Sequence, residues 1–122
     1  MGTLKTTLKV ESVDLFPTPV NFTTVNNNLI SANLSGFTSI TVNTADTPLA
    51  TIPAGGAWFY FSSPSTNTQN ITLSINGAPD VPFVVIQPGD VGLIPLGDAV
   101  GFTLEGNATT SAQILNYYVG TR

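Results

Sequence analysis

Apolar and polar positions alternate with period two through most of this chain, and turn residues break the alternation roughly every eight to twelve positions. Residues 3–10 set Leu4, Thr6, Leu8 and Val10 on one side and Lys5, Thr7 and Lys9 on the other, which predicts a half-buried strand with a wet face. Its lysines suit a sheet edge, where charge opposes unwanted pairing. Residues 16–19, Phe-Pro-Thr-Pro, cannot form a helix interior and are expected to run extended into a strand at 20–25. Asn26, Asn27 and Asn28 predict a turn, residues 29–34 a further strand, Ser35 and Gly36 another turn, and residues 37–42 a strand with Ile40 and Val42 inward. Three strands in quick succession predict a meander. Residues 43–53 are less periodic and are expected either to cross from one sheet to the other or to form a long loop.

The second half is patterned more sharply. Residues 57–62 carry Trp58, Phe59, Tyr60 and Phe61 in a row, so one alternate pair faces the core and the other faces a second layer, a partner or solvent. Residues 63–67 read as an exposed loop. Residues 70–75 place Ile71, Leu73 and Ile75 inward, and Asn76-Gly77 is a hairpin turn signature. Residues 82–96 put two short β-branched runs, 83–86 and 91–94, on either side of Gln87-Pro88-Gly89-Asp90, and this predicts a buried hairpin around a type II turn. Turns at Gly97-Asp98 and Gly106-Asn107 then separate a strand at 99–104 from a last one at 111–119. No amphipathic helix of three turns occurs. The expected fold is all-β, an antiparallel β-sandwich or jelly roll of about eight to ten strands, in a single domain spanning residues 1–122.

Composition narrows the function. Charged residues make up 8% of the 122, well under the roughly 25% usual in soluble domains, and Ser, Thr and Asn supply most of the polarity. Such a surface is expected either to be covered in part by further copies or by partners, or to be an extracellular or virion surface rich in Thr and Asn. The net charge is −4 with no basic patch, which argues against phosphate-mediated nucleic-acid binding. Histidine and cysteine are both absent, so imidazole acid–base catalysis, Ser-His-Asp triads, thiolate nucleophiles, disulfides and His- or Cys-ligated metals are all excluded. The N-terminus alternates instead of forming an apolar block, and no run is long enough to span a membrane as a helix, so synthesis in a cytoplasm without processing is expected.

The remaining candidate chemistry is thin. Asp90 and Asp98 flank the 91–96 run as a glycosidase pair might, but both sit beside glycine in turn contexts, where aspartate serves the backbone. Asp46, Asp80, Asp90 and Asp98 show no loop with ligands at alternate positions of the kind calcium requires. Four Asn-x-Ser/Thr sequons, at Asn21, Asn33, Asn70 and Asn107, follow from an Asn-, Ser- and Thr-rich composition with no secretory segment beside them. No enzyme activity and no cofactor are expected.

Two resemblances carry further. Residues 88–97, Pro-Gly-Asp-Val-Gly-Leu-Ile-Pro-Leu-Gly, resemble the second conserved stretch of cupins, but Asp98, Ala99 and Val100 stand where cupins place a metal-binding histidine. More of the chain resembles the small β-sandwich structural proteins of tailed bacteriophages. The likeness lies in the lysine-bearing first strand, the Pro53-Ala54-Gly55-Gly56 turn before an aromatic strand, the Gln-Pro-Gly-Asp turn with Val-Gly-Leu-Ile-Pro-Leu, and the closing Ala112-Gln113-Ile114-Leu115-Asn116-Tyr117-Tyr118-Val119. This resemblance implies a virion protein, a capsid decoration or cement protein bound to the major capsid protein, or else a tail, collar or fibre component. A homotrimer is implied by the symmetry of such shells. The expected self-association surface is Trp58, Tyr60, Tyr117 and Tyr118, and the expected capsid-facing surface is Lys5 and Lys9. A carbohydrate-binding module, with Trp58 or Tyr60 as a stacking platform, is the reading from a different class.

Overall fold

The computed structural model describes residues 2–12, 20–30, 32, 34, 37–76, 81–97 and 100–122. It contains strands β1 (Gly2–Ser12), β2 (Val20–Ile30), β3 (Thr38–Val42), β4 (Thr47–Ile52), β5 (Ala57–Ser62), β6 (Ile71–Ile75), β7 (Val81–Ile86), β8 (Val91–Leu96), β9 (Phe102–Ala108) and β10 (Gln113–Thr121). Eight of them form two four-stranded antiparallel sheets, ordered β3-β10-β5-β8 and β4-β9-β6-β7, and β1 and β2 pair only with each other. From β3 to β6 successive strands alternate between sheets, and the two C-terminal strands insert centrally. This is the strand order of a jelly roll.

The alternation read from the sequence builds the core. Ala57, Phe59 and Phe61 of β5 and Leu115, Tyr117 and Val119 of β10 point inward from one sheet, and they meet Ile52, Ile71, Leu73, Ile86 and Leu104 from the other. Phe59 is fully buried, with its ring centroid 6.0 Å from that of Tyr117. The register of β4 against β9 slips between Pro48 and Ala50, so Leu49 is an inserted residue without a ladder partner. The Tyr117 hydroxyl donates to the Leu49 carbonyl at 2.8 Å and ties the two layers together. Burial holds the Tyr117 phenol above its ordinary pKa.

The structure revises several expectations. The runs at 83–86 and 91–94 do not form a hairpin: β7 lies in one sheet and β8 in the other. The intervening turn is real, with the Asp90 amide donating to the Gln87 carbonyl (3.1 Å) and Gly89 at φ 87°, but it bridges the layers. It is anchored on β5, because the Gly89 amide donates to the Ser63 carbonyl and the Ser63 amide to that of Asp90. Residues 47–52 are strand β4, not loop, although the chain does change sheets there as expected. Asn26, Asn27 and Asn28 lie inside β2, and Gly106 and Asn107 inside β9, because continuous pairing outweighs local turn propensity. The strands expected at 20–25, 29–34 and 37–42 do not form a meander: β2 runs unbroken over Val20–Ile30 and pairs with β1, and β3 pairs with β10. The first strand has the free edge that its lysines suit, in a separate two-stranded ribbon with β2. The hairpin expected at Asn76-Gly77 agrees with the β6–β7 pairing, while its tip, the segment at 16–19, the turn residues Ser35, Gly36 and Asp98, and Asn33 and Asp80 lie outside the described residues.

The loop after β5 is less exposed than the sequence implies. The Asn67 side chain pairs with Ile114 as a strand residue would, accepting from its amide at 3.0 Å and donating to its carbonyl at 2.7 Å. Gln113 is buried, and its carbonyl oxygen accepts from the amides of Thr68 (2.8 Å) and Gln69 (3.2 Å). One glutamine therefore satisfies two backbone donors beside β10.

Two measurements test these contacts. Gln113→Leu strands the Thr68 and Gln69 amides and is expected to cost about 2–4 kcal/mol in a denaturant titration. Tyr117→Phe is expected to cost about 1–2 kcal/mol at neutral pH, since the Leu49 carbonyl loses its partner. The pH dependence has a defined sign: the unfolded phenol ionises near its ordinary value of 10.0 while the buried one still holds its proton, so stability contributed by the neutral phenol is complete below that pH and lost as pH rises above it. The Tyr117→Phe protein lacks that alkaline component.

Candidate functional site

The face of the β3-β10-β5-β8 sheet that points away from the core carries the molecule's most concentrated aromatic chemistry. Trp58 and Tyr60 alternate with the buried Phe59 and Phe61 and so emerge on the outside, half-buried. The register sets Tyr118 opposite Tyr60 and Gly120 opposite Trp58 on β10, with Leu93 and Pro95 opposite the same two residues on β8. The four-aromatic strand is thus divided between a core face and an outer face.

A segment from outside the sheet covers part of this face. The Leu34 amide donates to the Val119 carbonyl (2.9 Å), the Thr121 amide to that of Ala32 (2.8 Å), and the Ala32 amide to the Thr121 hydroxyl (2.7 Å). These bonds hold the chain along β10 beyond the end of β3. Ile30 is buried there, and Phe37 stacks on Tyr118 with centroids 4.7 Å apart and meets the edge of Tyr60 at 6.2 Å. Close approach requires glycine at 120: a Cβ would lie 2.6 Å from the Tyr118 hydroxyl oxygen and 2.8 Å from Ile30 Cγ2. Phe37 itself remains 72% exposed. At the margin, the Arg122 guanidinium sits 4.8 Å from the centre of the Trp58 ring, a cation–π contact worth about 0.5–1 kcal/mol at an exposed site.

The expected interface residues therefore divide. Trp58 and Tyr60 are on the outer face, and Tyr118 shares that face but is buried beneath Ile30 and Phe37. Tyr117 is corrected to a core residue, because its strand position alternates inward and its hydroxyl is spent on Leu49. Lys5 and Lys9 lie on the β1–β2 ribbon, far along the sequence from the aromatic face, and Lys9 pairs with Glu11 at 3.0 Å. Phe37 and Ile30 were not among the expected interface residues. Nothing local marks them, since their role depends on where β10 inserts.

Asp90 Oδ2 accepts from the Gln87 amide at 2.8 Å and so serves its own turn, and Asp98 lies outside the described residues. Asp46 accepts from the Asn107 side chain at 3.3 Å, which also engages one of the four sequon asparagines. Among the described residues no group of three or more carboxylates, histidines or cysteines comes together. The outer face presents Trp58, Tyr60, Tyr118 and Phe37, with Arg122 at its margin.

Gly120→Ala tests its construction. The added methyl displaces Tyr118 or Ile30, and a loss of about 1–3 kcal/mol is expected in thermal unfolding. Comparison with known proteins finds no matching family model, no matching curated protein and no matching solved structure, so the fold and this surface are the ground on which function is assigned.

Proposed function

We propose that this chain is a structural protein of a tailed-bacteriophage virion: a capsid decoration protein that binds the outer surface of the head and links neighbouring copies of the major capsid protein. The observation that carries the reading is a closed, internally satisfied sandwich that still exposes large apolar residues in several places. Leu8, Phe22, Val25 and Leu29 on the ribbon, Val81 and Val85 on edge strand β7, and Phe37 on the aromatic face are all uncovered. Such exposure in a chain with few charges is typical of surfaces buried by assembly. The jelly roll supports the reading by analogy, since viral capsid domains use it, as do lectins and cupins.

Function on this account is binding alone. A protein that binds the assembled lattice and not its free subunits stabilises the shell by linkage, by about 2.7 kcal/mol at a hundredfold excess over Kd. Assembly as a homotrimer multiplies weak contacts into avidity. The ribbon face that carries Lys5 and Lys9 is assigned to the shell, where it meets acidic groups. A glycan-binding role is the second reading, favoured by the exposed Phe37 ring stacked on Tyr118.

Co-sedimentation of the purified protein with heads that lack it tests the proposal. Saturable binding and a raised melting temperature of the heads are expected, and Lys5→Glu with Lys9→Glu is expected to weaken binding roughly tenfold at low salt and less at high salt. Failure to bind heads, together with glycan binding that Trp58→Ala abolishes without unfolding, would establish the second reading instead.

A further inference from the structure

The two faces of the β1–β2 ribbon differ in chemistry. Residues directly opposite in an antiparallel register share a face. Lys5, Lys9 and Glu11 therefore lie on one face with Val25 and Leu29, and the other face, running from Ile30 through Leu4, Thr6 and Leu8 to Phe22, carries no charge. Burial along this uncharged face falls from root to tip. Ile30 is 4% exposed, Leu4 and Thr6 are half-buried, and Leu8 and Phe22 are 61% and 54% exposed. The face that packs on Tyr118 and Gly120 at its root thus continues outward with none of the described residues covering Leu8 and Phe22 near its tip. A two-stranded ribbon alone is marginal in water, so the tip needs a surface to lie on.

We infer that the uncharged tip of the ribbon, at Leu8 and Phe22, docks on the outer aromatic face of a second copy of this chain, around Phe37. The surface already accepts this kind of contact, because Ile30 from the same ribbon face sits on it within its own chain. Neither side carries a charge, apart from Arg122 at the margin, which Trp58 engages. The tip cannot serve its own copy. Phe37 packs on Tyr118 beside the ribbon root, whereas Phe22 stands eight residues along an unbroken ladder from Ile30, about 26 Å away at the rise of a strand.

Size also selects an exchange over ribbon-on-ribbon pairing. One face of a ribbon about 36 Å long and about 10 Å wide offers about 350 Å², under half of the ~800 Å² per partner of a stable interface. When each copy gives a ribbon and receives one, the sandwich contributes as well. Repeated head to tail, the same contact closes a ring, and the lysine face remains free. The inference deepens the self-assembly part of the proposed function and is independent of the shell.

Sedimentation velocity on the full chain tests it. The wild-type protein is expected to sediment as an oligomer, and Phe22→Glu to weaken self-association about thirtyfold or more with the melting temperature of the sandwich unchanged. Val25→Glu, on the opposite face, is expected to leave the oligomer intact. Because the chain contains no cysteine, two single variants, Thr24→Cys on the ribbon and Ser39→Cys beside the aromatic face, can be mixed and oxidised, and a disulfide between the two chains is expected. A monomeric wild type, an oligomer indifferent to Phe22→Glu, or no disulfide between the mixed chains would overturn the inference. Head binding is read separately: an oligomer that ignores heads removes the shell role and leaves this contact standing.

Discussion

Insertion of β10 is the constraint on which the rest of the molecule depends. The last strand in sequence pairs with β3 on one side and β5 on the other, and its inward side chains, Leu115, Tyr117 and Val119, complete the core. Its outward residues, Tyr118 and Gly120, seat Ile30 and Phe37 and so fix the ribbon root and the aromatic face. Gln113 at its start closes the loop after β5. One strand thus sets the core, the surface and the arm. Neither sheet can close before the C-terminal strands arrive, since β9 holds the matching central place in the second sheet, and such non-local pairing makes for slow folding.

Fold class was legible because alternation is a local property. Ile71 and Leu73, or Phe59 and Phe61, declare an inward face without reference to any partner. The β6–β7 hairpin is announced locally by Asn76-Gly77, and what failed depends on a partner strand. Gln87-Pro88-Gly89-Asp90 specifies its turn correctly, yet a turn of that type serves a bridge between layers as well as a hairpin, and only the pairing of β7 with β6 and β8 with β5 decides. The Asn run in β2 and Gly106-Asn107 in β9 read as turns because asparagine and glycine favour them, but a continuous ladder overrides that preference. Tyr117 and Tyr118 are adjacent aromatics, and the sequence does not show which one is inward until the register of β10 is known. Phe37 and Ile30 became visible only with that register too.

Chemistry and surface point the same way. The chain has no histidine or cysteine, Asp90 accepts from the amide of its own turn, and large apolar residues are exposed on the ribbon, on β7 and at Phe37. Eight strands close a sandwich whose polar groups are satisfied; among the described residues no buried side-chain nitrogen or oxygen lacks a partner. The two remaining strands form an arm that the sandwich does not need for its own closure. That arm is divided into a face that carries Lys5, Lys9 and Glu11 and a face without charge, and the proposed contacts with the shell and with a second copy use one each.

On the proposed function, these uncovered surfaces are buried against a phage head and against further copies of the chain. Electron microscopy of undecorated heads incubated with the purified protein tests it most directly. The account predicts discrete, symmetrically placed density on the outer surface of the shell, built from several copies joined by their ribbons. Heads that stay bare at saturating protein would contradict it.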